Sequence, residues 1–324
     1  MDARRDKLQG VVISLPTFCD NDYNLLLDRQ RTHIGWLIEQ GMVEGTAVLM
    51  GSAGLGEGYF LGDDEFERIV DVLAEEAAGR VPTMVGVFEL SAREAAKKAT
   101  YAARAGIDIV QLALPHYMAP SEDDVFGHFQ YVNDHADIAI MAYNTPWAMP
   151  KPEFELSAGL LERFIELEHV VGVKWASHDI NHYLAILRQF ADRFNFIDNM
   201  VIFSLGFRLG MKGFIWPRAN AAPRLGLRWW DMIRSERFDD FDKEFLRMQF
   251  DPFVTVVAPE AQAWVGMGEG PTARLALEVM SLDSGPPFPA QATPPDEYME
   301  SARRAMESSG ILDWVDWDQS IFDE

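Results

Sequence analysis

Short apolar runs recur along the first two thirds of the chain, and longer stretches with a helical spacing of apolar residues separate them. Such runs are typical of strands buried on both faces of a parallel sheet. They predict eight strands, at residues 10–17, 46–50, 83–87, 109–114, 138–143, 170–174, 194–197 and 213–215. The stretches between them predict helices at residues 25–40, 63–78, 91–105, 121–134, 157–167, 179–193 and 201–209. Several of these helices open on a capping residue, such as Ser121 with Asp124 three positions later.

The regular alternation of strand and helix is typical of βαβ units. Eight such strands close a (β/α)8 barrel, which usually takes about 250 residues. The pattern therefore predicts an α/β protein with a (β/α)8 TIM barrel in residues 1–222. Residues 223–324 predict a C-terminal helical domain, with helices at 223–235, 237–254, 259–280 and 296–309. The tail 312–324 is acidic and aromatic, and we expect it to be solvated rather than packed on a neighbouring element.

Composition and charge exclude several classes of protein. The 324 residues are 48% hydrophobic, enough for a sizeable core, but no uncharged apolar stretch reaches the length of about 18 residues that a membrane span needs. The charged N-terminus lacks the apolar segment of a signal peptide. A single cysteine, Cys19, excludes an intramolecular disulfide and fits a reducing cytoplasm, where we expect the protein to be. A net charge of −23 argues against nucleic acid or an anionic membrane as a partner.

Lys174 stands at the end of the apolar strand predicted at residues 170–174. Only 7 of the 28 basic residues are lysines, so bulk charge does not explain its position. Burial at a strand end desolvates an ammonium and lowers its pKa, and a neutral amine can attack a carbonyl to form a Schiff base. The alternative is a lysine whose aliphatic stem lies on the strand end while its ammonium reaches solvent.

Other polar side chains stand where predicted strands end. In a (β/α)8 barrel the chemistry collects at this C-terminal face. Ser52, Tyr117 and Tyr143 occupy such positions, and a phenol can move protons to and from a carbinolamine within hydrogen-bond reach. Each tyrosine alone is more typical of a packing residue, but the three together with Lys174 favour a site. The strand ends carry no His, Asp or Glu cluster with metal-ligand spacing, so we expect neither a metal nor another cofactor.

Five segments carry a resemblance to a known family. Tyr-Asn-Thr-Pro at 143–146 followed by Gly-Val-Lys at 172–174 is a fairly specific pair. Gly-Ser-Ala-Gly at 51–54, Leu-Pro-His-Tyr at 114–117 and Gly-Met-Lys-Gly-Phe-Ile at 210–215 accompany it. With these segments the chain resembles the dihydrodipicolinate synthase / N-acetylneuraminate lyase family of Schiff-base aldolases over residues 10–312. The resemblance implies an N-terminal (β/α)8 barrel, a C-terminal helical domain and a homotetramer.

The resemblance also implies a role for each matching side chain. Lys174 would form an imine with pyruvate or another 2-oxo acid, and Tyr143 beside it would relay protons. Ser52 matches the hydroxyl that links this relay, and Tyr117 matches a tyrosine that reaches into the site of a neighbouring subunit. The other substrate would be an aldehyde or a sugar acid.

The turn after the second predicted strand departs from the family pattern. The backbone around Ala53 and Ile215 is expected to hold the carboxylate of the 2-oxo acid, since exposed N–H groups in a glycine-containing turn form an anion site. Ala53, however, leaves one hydroxyl where the family has two. The segment 54–57 is longer than the family's usual turn, and Glu57 within it is expected to be a structural hydrogen-bond acceptor rather than a base.

An arginine of the family is also missing. True dihydrodipicolinate synthases carry it two residues after the proline of Tyr-Asn-x-Pro, where it meets the carboxylate of the incoming aldehyde. This chain has Trp147-Ala148 there, and an indole does not replace a bidentate guanidinium. Arg218, just past the eighth strand, is a candidate replacement. Trp147 and Trp216 are expected over the barrel mouth, where an indole stacks on a flat partner, whereas Trp175 is expected to pack on a helix.

These features predict a Schiff-base lyase, either an aldolase or a hydratase-aldolase, that joins a 2-oxo acid to a bulky or apolar aldehyde. Three alternatives stay open. The first is a dehydratase that acts on a deoxy sugar acid through the same imine. The second is dihydrodipicolinate synthase proper, which the missing arginine disfavours. The third is a non-catalytic sensor of 2-oxo acids, against which the retention of both Lys174 and Tyr143 argues.

Overall fold

The computed structural model describes residues 3–146, 149, 154–199, 204–250, 269–291, 293 and 295–323. Eight parallel strands pair in chain order and close into a barrel. Strands β1 to β8 are Gly10–Ser14, Ala47–Gly51, Thr83–Val87, Ile109–Ala113, Ala139–Tyr143, Val170–Trp175, Asn195–Asp198 and Gly213–Ile215. The predicted barrel is confirmed, and no predicted strand differs from the observed one by more than three residues at either end.

Side chains along each strand alternate between the barrel interior and the surrounding helices, as the pleat requires. The interior is filled mainly by small and aliphatic side chains, among them Val12, Val48, Met50, Met84, Ile109, Ala139, Met141 and Ile197. Polar residues replace them at the C-terminal ends of the strands, where Ser14, Ser52, Tyr143 and Lys174 stand. The apolar side chains therefore pack the inside of the barrel, and the polar ones lie above them at the C-terminal ends of the strands.

Helices follow the strands as predicted. Helices α1 to α8 are Ala3–Asp6, Leu27–Glu39, Asp63–Ala77, Ala92–Ala105, Glu122–His135, Ala158–Phe164, Ile180–Phe190 and Leu205–Arg208. Ser91, Ser121, Ser157 and Asp179 each accept a hydrogen bond from a backbone N–H of the first helical turn, which stabilises a helix start by about 1 kcal/mol. The helix predicted at 201–209 begins at Leu205 within the described part, and residues 201–203 lie outside it.

The C-terminal region is also helical. Helices α9 to α12 are Pro223–Arg234, Phe238–Phe245, Glu269–Val279 and Asp296–Ser309, and the π-helical turn Leu246–Phe250 extends α10. The helix predicted at 296–309 is confirmed, whereas parts of those predicted at 237–254 and 259–280 fall outside the described residues. None of the helices in the described ranges has the length and hydropathy needed to cross a membrane.

The division of the chain after residue 222 stays a prediction. Helix α9 begins directly after this point and packs on the barrel. Gly226 of α9 lies so close to Trp216 and Val11 that an added Cβ would contact both side chains. Helix α9 thus occupies the place of an outer barrel helix behind β8 and β1.

The expectation of a solvated tail is wrong. Trp317 is buried, with its ring centroid 4.9 Å from that of Trp36 and 5.2 Å from that of His33. The Phe322 ring lies 5.3 Å from the Phe18 ring, edge to face. Aromatic side chains bury a large apolar area and prefer such edge-to-face contacts, so the tail packs along the barrel although its sequence is acidic.

Candidate active site

Lys174 is buried at the C-terminal end of β6, with 3% of its surface exposed. Strands β5 and β6 pair so that Tyr143 lies opposite it, and its Nζ is 3.8 Å from the centroid of the Tyr143 ring. The alternative of an ammonium reaching solvent is therefore wrong. Burial lowers the pKa of the Lys174 amine to about 8, while the negative charge of Glu269 opposes this fall. About a tenth of the amine is then neutral at pH 7, compared with well under a thousandth for an ordinary lysine.

Tyr143 connects the lysine to a carboxylate. Its hydroxyl donates a hydrogen bond to Oε1 of Glu269 at 3.0 Å. Burial raises the pKa of the Tyr143 phenol well above 10; the charge and hydrogen bond of Glu269 raise it further, and a hydrogen bond with the Asn199 side chain opposes the rise. The phenol therefore stays protonated and offers its proton to Glu269.

Asn144 fixes the end of β5 beside the end of β6. Its Nδ2 donates to the backbone oxygen of Ala176 at 2.6 Å, and its Oδ1 accepts from the backbone N–H of Leu156 at 2.9 Å. Asn144 is fully buried, so both bonds form where water does not compete. The Tyr-Asn pair thus combines a reactive phenol with the amide that holds its strand end in place.

The turn after β2 is strained at Ser52 and Glu57, whose φ angles are 48° and 57°. Such angles are unfavourable for residues other than glycine, and where they occur they tend to lie at functional sites. The Ser52 Oγ is buried and makes no hydrogen bond to the described residues. The Tyr143 hydroxyl donates to Glu269 rather than to Ser52, since a carboxylate is a stronger acceptor than a hydroxyl, and the role of Ser52 in the relay stays a prediction.

Glu57 is the structural acceptor that we expected. It is fully buried and paired with Arg274 of α11, whose Nε donates to it at 2.8 Å. The same guanidinium donates to the backbone oxygens of Ser284 at 2.7 Å and of Thr17 at 2.9 Å. This network ties the turn after β2 to the C-terminal helix α11.

The remaining predicted residues do not gather at one place. Ala53 is buried against the barrel interior, and Ile215 ends β8 and packs on the same interior cluster. Arg218 lies in the turn Pro217–Asn220 directly after β8, and burial lowers the pKa of its guanidinium to about 10. Tyr117, in the loop after β4, is 84% exposed. Trp147 lies outside the described residues.

The expectation that Trp216 lies over the barrel mouth is wrong. It is fully buried on the outer side of the barrel, and its ring centroid is 4.7 Å from that of Trp229 in α9. Because Ile215 faces the interior, the next residue faces outward. Trp175 also points outward and donates from Nε1 to the Tyr183 backbone oxygen at 3.3 Å, as expected.

Several residues of the site were not predicted from the sequence. Glu269 comes from the first turn of α11, and no motif around it indicates chemistry. Tyr59 packs its ring 4.9 Å from Phe60 and 5.7 Å from Phe88 at the same end of the barrel. Burial raises the pKa of the Tyr59 phenol, and Tyr59 lies close enough to Glu269 for that carboxylate to raise it further.

Comparisons with known proteins agree with this architecture. The model of the Dihydrodipicolinate synthetase family matches residues 7–236. A 4-hydroxy-tetrahydrodipicolinate synthase of Methylobacterium radiotolerans is 34% identical over 221 residues, which cover 68% of this chain and 71% of the relative.

Two solved structures share the fold at low sequence identity. YagE, a prophage protein of the dihydrodipicolinic acid synthase family from E. coli K12, was solved in complex with pyruvate. It has a TM-score of 0.79 and 18% identity, with 95% of this chain and 99% of YagE covered. CdNal from Clostridium difficile was solved in complex with mannosamine. It has a TM-score of 0.78 and 18% identity, with 93% of this chain and 98% of CdNal covered.

Proposed function

We propose that this chain, which belongs to the dihydrodipicolinate synthetase family, makes or breaks a bond of a 2-oxo acid through an imine on Lys174. Members of this family are lyases, and the proposal concerns the residues and the substrate. The observation that carries it is a buried amine with a pKa of about 8, held 3.8 Å from the ring of a tyrosine. Desolvated lysines of this kind are suited to attack a carbonyl.

The imine forms in balanced steps. The neutral Nζ of Lys174 attacks C2 of the 2-oxo acid, and the electron pair of the carbonyl π bond moves to oxygen, which takes up a proton. The nitrogen then loses a proton, the new hydroxyl takes up a second proton, and water leaves with the C–O electron pair to give an iminium cation. Loss of a proton from C3 gives an enamine, whose C3 attacks the aldehyde carbon. Tyr143 is the proposed proton relay for these steps, because its ring lies 3.8 Å from the amine and its hydroxyl is bonded to a carboxylate.

Pyruvate is the simplest 2-oxo acid for this site. The structural neighbour YagE binds pyruvate, which supports the same substrate class here. The turn containing Ala53 and the end of β8 at Ile215 border the interior, and we propose that their backbone holds the substrate carboxylate. Ser52 stands in this turn with a buried hydroxyl that makes no bond to the described residues, which is suited to donate to a carboxylate oxygen.

The second substrate is proposed to be an aldehyde with an apolar or aromatic body. The sequence has Trp147-Ala148 where an arginine would meet an anionic aldehyde. Tyr59, Phe60 and Phe88 form an aromatic cluster at the end of the barrel where the lysine lies. Aromatic side chains bind flat partners by stacking, whereas the carboxylate of Glu269 beside the amine opposes a second anion.

A deoxy sugar acid is the second candidate, with dehydration in place of aldol chemistry. Glu269 and Tyr143 form a hydrogen-bonded pair beside the imine, and such a pair can supply the proton that a departing hydroxyl needs. The neighbour CdNal binds mannosamine, which supports a hydroxylated substrate in this fold.

A paired assay tests the aldehyde class. Wild-type enzyme with pyruvate is offered aspartate semialdehyde and, separately, benzaldehyde and cinnamaldehyde, and pyruvate consumption is measured. We expect turnover with the aromatic aldehydes and little with the semialdehyde. Ala148→Arg should raise the semialdehyde rate, because a guanidinium pairs with its carboxylate. Lys174→Ala is the control that should abolish both reactions. Efficient wild-type turnover of the semialdehyde with none of the aromatic aldehydes would reverse the proposal.

A further inference from the structure

Glu269 brings a carboxylate to the site from outside the barrel. It is the first residue of α11, and its Oε1 accepts the hydroxyl proton of Tyr143 at 3.0 Å. Its charge supports the protonated form of Lys174 and raises the pKa values of Tyr143 and Tyr59. Three ionisable groups on three different elements therefore face this one carboxylate.

Two glycines let the helix approach so closely. A Cβ added at Gly54, in the turn after β2, would collide with Oε2 of Glu269. A Cβ added at Gly270, in α11, would collide with the side chain of Glu57. The turn and the helix start thus interlock: Glu269 of the helix packs against Gly54 of the turn, and Glu57 of the turn packs against Gly270 of the helix. Arg274 fixes the position of Glu57, so the helix start that carries Glu269 is anchored to the turn.

We propose that Glu269 is the proton acceptor for the imine chemistry at Lys174 and works through the Tyr143 hydroxyl. This inference rests on the proposed function, since it needs an imine on Lys174. It assigns a function to helix α11 of the C-terminal region, which would then complete the active site of the barrel.

The proposed proton transfer takes place in the step from iminium to enamine. The C3–H bond of the bound substrate breaks, and its electron pair forms the C2=C3 bond while the π pair of C2=N returns to nitrogen. The proton passes to the Tyr143 oxygen as the phenol's own proton passes to Glu269. The protonated Glu269 returns the proton along the same route after the new C–C bond forms, to the alkoxide of the aldehyde. No oxidant or further reactant is needed.

The hydrogen bonds around Tyr143 are the reason that a second group is needed. The phenol donates to Glu269 and is held in its protonated form, so it can accept a substrate proton only while it gives up its own. Ser52 is not bonded to Tyr143 in the described structure. The carboxylate at 3.0 Å is therefore the acceptor that the geometry supplies, at a distance suited to general acid–base catalysis.

Exchange of the pyruvate methyl protons in D₂O isolates this step, because it needs the enamine but no aldehyde. Proton NMR measures the exchange with wild type, Glu269→Gln and Glu269→Asp. We expect Glu269→Gln to slow exchange by about 10²–10⁴-fold, the usual loss of a general base, and Glu269→Asp to be intermediate. Glu278→Gln, which neutralises another carboxylate of α11, is the matched control and should leave exchange unchanged.

Borohydride trapping separates this inference from the proposed function. We expect Glu269→Gln to remain trapped at Lys174 by pyruvate and borohydride, since the amine is retained and the iminium forms before the proton transfer that is assigned to Glu269. Absence of trapping in wild type would overturn the proposed function. If Glu269→Gln is trapped and exchanges the methyl protons as fast as wild type, the proposed role of Glu269 is wrong and the proposed function stands. Tighter pyruvate binding by this variant without slower exchange would lead to the same conclusion. If Glu269→Gln does not fold, Glu269→Asp decides the question by the same criteria.

The pH dependence of trapping gives a readout that a structural role would not change. Glu269 and the ring of Tyr143 face the Lys174 amine, and Tyr59 faces the same carboxylate. A carboxylate favours the ammonium, so its neutralisation in Glu269→Gln should lower the pKa of Lys174 below about 8. The rise of the trapping rate with pH should therefore move to lower pH in this variant, and an unmoved profile would contradict the proposed contact.

Discussion

Burial favours the neutral form of both reactive side chains at the centre of this site. It lowers the pKa of the Lys174 amine and raises that of the Tyr143 phenol, as loss of hydration does for a cationic acid and a neutral acid. A larger share of the amine is thereby neutral near neutral pH, while the phenol stays protonated. One apolar environment at the ends of β5 and β6 therefore favours the two protonation states that the proposed imine chemistry needs.

Tyr143→Phe removes one hydroxyl and tests whether the phenol carries protons in the proposed reaction. The ring that packs over Lys174 remains, so folding should be unchanged by circular dichroism and by denaturant titration. Turnover should fall by about 10²–10⁴-fold, because the connection to Glu269 is lost. A rate equal to wild type would remove Tyr143 from the proton path.

The sequence placed Lys174 and Tyr143 correctly at the ends of neighbouring strands, because each ends a strand with a recognisable apolar pattern. It could not identify Glu269, since the contact with Tyr143 joins residues 126 positions apart and depends on where α11 crosses the barrel. The wrong placement of Trp216 has a local cause. Trp216 directly follows β8, and the alternation of that strand continues through it and directs its ring to α9.

Two elements, the turn after β2 and helix α11, are joined through a buried ion pair. Glu57 is fully buried and Arg274 nearly so, and both make further hydrogen bonds that compensate their lost hydration. Removal of one partner of such a pair leaves an uncompensated charge. The pair therefore determines the position of the helix start that carries Glu269.

Arg274→Met should destabilise the protein by about 3–5 kcal/mol, because Glu57 would be left buried without its cation. Urea denaturation measures the loss. Arg31→Met is the matched control, since Arg31 pairs with Glu75 at 2.9 Å on the exposed surface and such pairs contribute about 0–1 kcal/mol. Equal losses in the two variants would show that the Glu57–Arg274 pair does not hold the helix.

Strands and barrel helices were predictable because their hydrophobic period is local and strong. The packing of the tail was not, because its acidic composition favoured solvation and the partners of its aromatic residues lie on α2 and in the loop after β1. Trp317 contacts Trp36, and Phe322 contacts Phe18, contacts that no local pattern specifies. Long-range packing therefore overrode the local signal in this segment.

At the scale of the whole molecule, Tyr117 points to an assembly of subunits. It is 84% exposed although it stands at the mouth end of the barrel, and large exposed aromatic side chains often mark interaction surfaces. We propose that it enters the site of a neighbouring subunit in a homotetramer, as the family resemblance implies.

Light scattering combined with activity measurements tests this assembly. We expect an active tetramer, and we expect Tyr117→Ala to lose activity, because the phenol acts in the neighbouring site. Met118→Ala changes the adjacent exposed side chain and is the control, for which we expect wild-type activity. A fully active monomer would contradict the proposed role of Tyr117.

Mass spectrometry after reduction reveals whether Lys174 forms the proposed covalent imine. Wild-type protein is incubated with pyruvate, and separately with 2-oxobutyrate, and then treated with borohydride and digested. We expect a mass increase on the peptide that contains Lys174, faster at pH 9 than at pH 7 because more of the amine is neutral above its pKa of about 8. An unmodified Lys174 peptide with every 2-oxo acid tested, in protein shown to be folded, would rule out the imine.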